Sequence, residues 1–110
     1  MYFVQKRIEV SASHKLSLSY KSKCSSLHGH NWIITIFCKS DHLNADGMVV
    51  DFTHLKQQVH DYLDHNNLNE ILPFNPTAEN MAKWIAGTIG NKCYRVEIQE
   101  SEGNIAAWER

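Results

Sequence analysis

The sequence predicts an α+β fold, with a four-stranded antiparallel sheet and two helices packed on one face. Apolar and polar residues alternate with a period of two near both ends of the chain, which is typical of strands. Between these segments, apolar residues recur at steps of three and four, which is typical of helices. The resulting order, β-β-α-α-β-β, segregates the helices between two pairs of strands. A chain of 110 residues has the length of one domain, so we expect residues 1–110 to form a single unit.

The first two strands are predicted at residues 3–13 and 31–38. Val4, Ile8 and Val10 share one parity in the first strand, and polar residues hold the other. The second strand is β-branched and aromatic on both parities, so we expect both of its faces to be covered. Residues 15–27, rich in serine and lysine, form the predicted loop between these strands.

Two amphipathic helices are predicted in the middle of the chain. The apolar positions of the first are Phe52, Leu55, Val59, Tyr62 and Leu63. A break at residues 73–76, bounded by two prolines, separates it from the second helix. Thr77 is the expected N-cap of the second helix, and Gly90 the residue just after its end. The stripe of this helix consists of Ala78, Met81, Ile85 and Ile89.

The last two strands are predicted to form a hairpin. Tyr94, Val96 and Ile98 share one parity and alternate with charged or amide side chains. A turn at residues 102–104 contains glycine and asparagine, and residues 105–108 form the fourth strand.

Charge and cysteine content exclude several classes of protein. Eleven Lys and Arg against 12 Asp and Glu give a net charge of −1, which argues against a general nucleic-acid binder or a membrane-surface protein. The N-terminal residues lack the apolar core of a signal peptide, so we expect a cytoplasmic protein with reduced thiols. Cys38 and Cys93 lie within strands and are expected to be small buried side chains.

Histidine is the compositional outlier, with seven residues in the chain. His28 and His30 are two apart at the start of the second strand, so their imidazoles project from the same face. His14 ends the first strand and lies opposite them if the two strands form a hairpin. Three convergent imidazoles suit Zn²⁺ and leave a fourth position open, which is the pattern of catalytic sites. The alternative is that the His-x-His pair is fortuitous and that His14 lies at the sheet edge.

Cys24 and the Asp64–His65 pair are candidates for proton transfer. Cys24 lies in a polar loop with two lysines, which favour a thiolate. A carboxylate next to a histidine can fix its tautomer and stabilise its protonated form. From spacing alone, two other interpretations are equally supported: Cys24 closes the metal site as a fourth ligand, or Asp64 and His65 only end a helix.

Glu100 places a carboxylate on the apolar parity of the third strand. A buried carboxylate requires a partner, and a ligand with two adjacent N–H donors would satisfy both of its oxygens. The alternative is that the strand ends by Gln99 and leaves Glu100 in solvent.

Together these features resemble the 6-pyruvoyl-tetrahydropterin synthase and 6-carboxytetrahydropterin synthase family, which has the tunnelling fold (T-fold). The resemblance extends from the first strand to the end of the chain, and the combination is more specific than any one motif. The matching segments are Ala12-x-His14, Cys24-x-x-x-His28-Gly29-His30, Gly47-Met48-Val49-Val50-Asp51-Phe52, Leu63-Asp64-His65 with Leu68-Asn69, Asn75-Pro76-Thr77-Ala78-Glu79-Asn80, and Glu100-Ser101.

The resemblance implies a role for each candidate residue. His14, His28 and His30 would hold the zinc ion. Cys24 would act as general acid or base, with Asp64 and His65 of a neighbouring subunit as its proton relay. Glu100 would anchor a pterin ring, with Thr77 nearby.

The resemblance also implies a reaction and an assembly. The short Cys-x-x-x-His-Gly-His spacing is similar to the bacterial carboxy-forming branch of queuosine biosynthesis. That branch converts 7,8-dihydroneopterin triphosphate to 6-carboxy-5,6,7,8-tetrahydropterin, triphosphate and acetaldehyde. The alternatives are a pyruvoyl-forming enzyme with the same site and a non-catalytic zinc-binding module. The implied assembly is a homo-oligomeric ring, either a trimer or a dimer of trimers.

Overall fold

The computed structural model describes all 110 residues and confirms the predicted antiparallel sheet. Strands β1 (Tyr2–His14), β2 (His28–Ser40), β3 (Cys93–Ser101) and β4 (Asn104–Glu109) lie side by side in chain order. The β1–β2 register is unbroken over the whole of both strands and places His14 opposite His28. The β2 strand therefore starts earlier than predicted and includes both histidines of the His-x-His pair.

One face of the sheet carries the core. Val10, Trp32, Ile34, Val96 and Ile98 are fully buried on this face, as the alternation in the sequence predicts. The helices pack against it, so a single hydrophobic cluster joins the strands to the helices. The largest member, Trp32, donates its indole N–H to the carbonyl of Ala12 at 3.1 Å, so its one polar group is paired.

The helical region has three parts. Helix α1 consists of an α turn (Phe52–Leu55), a π-helical segment (Lys56–His60) and a last α turn (Asp61–Leu63). A short helix, α2 (Leu68–Ile71), was not predicted. Helix α3 (Ala78–Ile89) has the predicted Thr77 cap, with the threonine hydroxyl accepting from the Asn80 N–H at 3.1 Å. No helix of the chain has the length and apolar character that crossing a bilayer requires.

The apolar stripe of α1 is narrower than predicted. Leu55, Val59 and Leu63 are buried, but Phe52 and Tyr62 are each about half exposed. A π-helical segment holds more residues per turn than an α-helix, so positions four apart stay in phase through it. Tyr62 lies on the outer side and stacks on Trp84 of α3 at 5.6 Å between ring centroids.

Tyr94 lies on the face opposite to the predicted one. The β2–β3 register shifts between Phe37 and Cys38, so Tyr94 is an extra residue beside the Phe37–Arg95 pair. Its ring packs near Phe3 and Phe37 on the open face of the sheet, which is the face that the helices leave uncovered. The bulge places Cys93 opposite Cys38, and both thiols are buried. The prediction that Tyr94 shares the parity of Val96 was therefore wrong.

The outer edge of β1 is covered over only part of its length. The Ser11 N–H donates to the Asp64 carboxylate at 2.8 Å, and the His65 N–H donates to the Ser11 carbonyl at 2.7 Å. The Ser13 N–H donates to the Asn66 carbonyl at 3.1 Å, and Asn67 forms a parallel bridge with Ser13. Residues 64–67 therefore lie along β1 like a short additional strand and hold Asp64 and His65 in place.

Candidate metal centre and catalytic residues

Three imidazoles converge where β1 ends and β2 begins. The ligand atoms of His14, His28, His30 and Glu100 all lie within 4.8 Å of one another. The His14 ring centroid is 4.6 Å from that of His28 and 5.2 Å from that of His30, with the rings edge to face. The hairpin register and the two-residue period of β2 together produce this convergence.

Two backbone carbonyls orient these rings. His14 Nδ1 donates to the carbonyl of Pro76 at 2.8 Å, and His28 Nδ1 donates to the carbonyl of Ser26 at 2.7 Å. Because a carbonyl can only accept, each Nδ1 carries the proton and each Nε2 keeps a free lone pair. Metal-binding histidines in proteins typically have an outer hydrogen bond of this kind.

The buried nitrogens of this cluster fit a divalent metal ion. The Nε2 atom of His14 is buried and has no hydrogen-bond partner in the chain, and the buried Nε2 of His30 has only the Glu100 carboxylate beside it. His14 is fully buried, and this burial lowers the pKa of its imidazole, which favours the neutral form that binds metals. Unpartnered buried lone pairs are costly unless an ion or another group satisfies them. The donor set of three imidazoles, with a carboxylate at hand, is one that zinc accepts.

Glu100 faces this cluster. Its carboxylate Oε1 lies 3.0 Å from His30 Nε2 and 4.0 Å from His14 Nε2. The strand continues to Ser101, so the alternative in which it ends by Gln99 is not what the structure contains. Glu100 also borders a cavity of about 290 Å³, which the hairpin residues Gly103 and Asn104 and the first residues of α3 line. A bulge at Glu100, next to Gly103 with its φ of 82°, takes this residue out of the β3–β4 ladder.

Cys24 lies near the histidine cluster along the chain, but its thiol is outside the group of convergent side-chain atoms. It occupies the centre of a 3₁₀ turn (Lys23–Ser25), and the Ser22 hydroxyl accepts from its N–H at 3.1 Å. Cys24 is half-buried, and the group of convergent metal-ligating atoms includes Glu100 rather than this thiol. No hydrogen bond joins Cys24 to His65 within the chain, and the thiol is free.

Asp64 and His65 form a hydrogen-bonded pair at the end of α1. His65 Nδ1 lies 2.6 Å from Asp64 Oδ2, while Asp64 Oδ1 accepts from the Ser11 N–H. The Ser11 hydrogen bond, and then His65, hold the pKa of the Asp64 carboxyl below its usual value. His65 has a φ of 59° and its side chain is 83% exposed, so the ring extends into solvent from a strained backbone position. Its other ring nitrogen is thus available to a group outside this chain.

Sequence patterns did not reveal several partners of these residues. The carbonyls of Pro76 and Ser26 and the backbone of Ser11 are main-chain groups, for which side-chain identity gives no signal. His60 Nε2 lies 3.6 Å from Asp64 Oδ2, and its i, i+4 spacing on α1 was the available signal.

Replacing Asp64 by asparagine is expected to remove stability above pH 4 and little below it. The depressed pKa means that the ionised carboxylate stabilises the fold above the usual aspartate pKa of about 3.9. This contribution is lost as the pH falls through the folded-state pKa. Urea unfolding between pH 2 and pH 7 measures the difference between wild type and Asp64→Asn. The matched control is Asp46→Asn, whose carboxylate has no hydrogen-bond or ion-pair partner, and equal curves for the two variants would contradict the assignment.

Comparison with known proteins decides the family. Residues 3–110 match the model of the family described as 6-pyruvoyl tetrahydropterin synthase. The chain belongs to this family. A 6-carboxy-5,6,7,8-tetrahydropterin synthase from Synechocystis is 36% identical over 77% of this chain and 72% of its own length. The enzyme of the same name from Bacillus subtilis is 32% identical over 89% of this chain and 78% of its own.

The family fold is also found in solved structures. The 6-pyruvoyl tetrahydropterin synthase of Caenorhabditis elegans superimposes on this chain with a TM-score of 0.78 and 26% sequence identity. The match covers 99% of this chain and 95% of the nematode enzyme. The predicted T-fold is therefore confirmed over the full length of this member of the tetrahydropterin synthase family.

Proposed function

We propose that this protein is a zinc-dependent lyase that forms 6-carboxy-5,6,7,8-tetrahydropterin, triphosphate and acetaldehyde from 7,8-dihydroneopterin triphosphate. The observation that carries the proposal is the name shared by the bacterial relatives from Synechocystis and Bacillus subtilis. The cluster of three imidazoles supports it with chemistry of the required kind. The reaction would belong to queuosine biosynthesis in the cytoplasm.

His14, His28 and His30 would hold the zinc ion through their Nε2 atoms. When bound, zinc supplies a Lewis acid that lowers the pKa of hydroxyl and C–H groups on the substrate side chain. The Pro76 and Ser26 carbonyls keep two of the imidazoles in the binding tautomer.

Proton transfer is assigned to Cys24, Asp64 and His65. Cys24 would take or return a proton on the substrate side chain from its half-buried turn. Asp64, ionised and fixed by Ser11, would accept from His65 Nδ1–H and so fix the tautomer and orientation of the ring. The exposed His65 ring would reach the Cys24 of a neighbouring subunit.

Pterin binding is assigned to Glu100, with Thr77 nearby. The Glu100 carboxylate lies between the histidine cluster and the 290 Å³ cavity, so it can accept from paired N–H donors of a heterocycle held there. Thr77 uses its hydroxyl to cap α3, and the adjacent Ala78 lines the same cavity.

The second candidate function is pyruvoyl formation, in which triphosphate leaves without C–C cleavage. The nematode enzyme of that name, with its TM-score of 0.78, is the observation that favours it. Incubation with 7,8-dihydroneopterin triphosphate and mass spectrometry of the products separates the two. Acetaldehyde together with the carboxypterin supports the lyase proposed above, and a pyruvoyl product without acetaldehyde overturns it.

The third candidate is a non-catalytic zinc module with a closed four-ligand site. Cys24 is the fourth ligand that the sequence suggests for such a site, whereas the structure places Glu100 beside the histidines. X-ray absorption of the zinc-loaded protein tests it through the ligand set. Three imidazoles with an exchangeable oxygen support an open site. A protein-only set that is unchanged by added substrate, combined with no turnover, supports the closed module.

We also propose a cyclic homo-oligomer, closed through the edges of the sheet. The outer backbone groups of Phe3, Gln5, Arg7 and Glu9 have no partner in the chain, whereas those at Ser11 and Ser13 do. The six residues of β4 are close in number to the seven, from Phe3 to Glu9, of this free edge. Unpaired edges promote association, and joining β1 of one copy to β4 of the next would close both. The face of the sheet that the helices leave uncovered carries charged and amide side chains beside Ile33 and Phe37, so the proposal rests on the sheet edges.

Substitution of Arg7 by proline is expected to dissociate the oligomer. Proline removes an outward N–H from β1 but leaves the ladder to β2 intact, as edge strands tolerate. The control, Arg7→Ala, loses the same side chain but keeps the N–H. Sedimentation equilibrium at micromolar concentration should give at least a trimer for wild type and Arg7→Ala, and a monomer for Arg7→Pro. A fully active wild-type monomer of 12.7 kDa would contradict the proposed ring.

A further inference from the structure

Two asparagines, Asn69 and Asn75, bind the backbone of the loop that follows β1. Asn69 Oδ1 accepts from the Lys15 N–H at 2.8 Å, and Asn69 Nδ2 donates to the Lys15 carbonyl at 2.9 Å. Asn75 does the same to Ser17, at 2.9 Å and 3.0 Å. Each amide thus satisfies both backbone groups of one loop residue, as a neighbouring strand would. Both asparagines belong to motif segments in which the proposed chemistry uses other residues, so it gives these two side chains no role.

Leu16, which lies between Lys15 and Ser17, is hydrogen-bonded to Cys24, the candidate base. The Leu16 N–H donates to the Cys24 carbonyl at 2.9 Å. Two residues beyond Cys24, the Ser26 carbonyl accepts from His28 Nδ1. Hydrogen bonds and short stretches of main chain therefore connect the asparagines, through Leu16 and the Cys24 turn, to His28 of the histidine cluster.

We propose that Asn69 and Asn75 are positioning residues for Cys24, which act by fixing the loop strand 15–17 to which the Cys24 turn is bonded. The inference rests on the proposed function, since it assumes that Cys24 moves a proton. The loop has no strand partner, and Lys15 and Ser17 are exposed. The two amides supply the partners that the sheet does not.

Replacing each asparagine by aspartate tests the hydrogen bonds to the loop without changing the size of the side chain. Asn69→Asp and Asn75→Asp keep the oxygen that accepts from the loop N–H but place a second oxygen against the loop carbonyl, where the amide donated. The matched control is Asn44→Asp. Asn44 Oδ1 accepts from the N–H groups of Asp46 and Met48 in a distant turn, while its Nδ2 makes no hydrogen bond.

Three readouts test the proposal on the full-length, zinc-loaded protein. Hydrogen–deuterium exchange at the Leu16 amide should become faster in both Asn69→Asp and Asn75→Asp. Alkylation of Cys24 by iodoacetamide, followed by peptide mass spectrometry to separate it from Cys38 and Cys93, should accelerate several-fold. The kcat should fall by up to about 10²-fold, the cost of a small misplacement of a reacting group, with KM and zinc content unchanged.

The outcomes separate this inference from the proposed function. Leu16 exchange and Cys24 alkylation equal to those of Asn44→Asp would overturn the positioning role, whatever the kcat. If wild type does not turn over the pterin substrate, the proposed function fails. The exchange and alkylation rates still decide whether Asn69 and Asn75 hold Cys24 in position. If one variant does not fold, the other tests the same loop through its own residue.

Discussion

Replacing His28 by alanine is expected to abolish zinc binding and turnover together. The change removes one of three imidazoles that converge within 4.8 Å, and two imidazoles hold the ion poorly. Loss of an outer hydrogen-bond partner alone typically lowers metal affinity or activity about 10- to 100-fold, so loss of the ligand itself should exceed that. Elemental analysis after dialysis gives zinc per chain, and product formation gives turnover.

The control for this change is His54→Ala. His54 is largely exposed, pairs only with Asp51 at 3.7 Å and lies outside the cluster. This variant should keep both zinc and activity. A His28→Ala protein that retains stoichiometric zinc would falsify the ligand assignment.

Replacing Cys24 by alanine is expected to separate the two properties, with zinc retained and turnover lost. The thiol lies outside the ligand cluster, so the metal and the fold should not depend on it. General acid–base catalysis typically contributes about 10²–10⁴-fold in rate, and the kcat should fall by that factor. Steady-state kinetics and zinc content, measured on the same preparation, check both halves of the expectation.

Ser25→Ala, in the same 3₁₀ turn, is the matched control for Cys24. It should leave both rate and metal content near those of wild type. Loss of zinc on replacement of Cys24 would instead support the closed site, with sulfur as the fourth ligand.

The sheet and the convergence of the histidines could be predicted because both depend on a simple period. A two-residue repeat assigns each side chain of a strand to a face, and an antiparallel hairpin brings the ends of its strands together. These rules place His14 opposite His28 without knowledge of any contact. They fail for Tyr94, because a single bulge residue shifts the repeat and nothing local in the sequence marks it.

The partners of the candidate residues could not be predicted, since most are main-chain groups distant in sequence. The Pro76 carbonyl reaches His14 across 62 positions, and the Ser11 N–H reaches Asp64 across 53. The asparagines at 69 and 75 were visible as motif residues. Their backbone partners, Lys15 and Ser17, are more than 50 positions away and depend on how the loop after β1 lies against α2 and the segment after it. The local sequence shows the amide but not the loop that it binds.

The segment 64–67 along the end of β1 has a consequence for the fidelity of assembly. In the proposed ring, its pairing with Ser11 and Ser13 would limit the β4 strand of the next copy to the free stretch of β1 before them. A strand that could slide past this point would shift the docking angle, and a ring that does not close grows into a fibre. Because the same four residues present His65, a protomer in which this segment is detached would be both inactive and prone to open-ended polymerisation. Defects in catalysis and in solubility should therefore arise together when this segment is weakened.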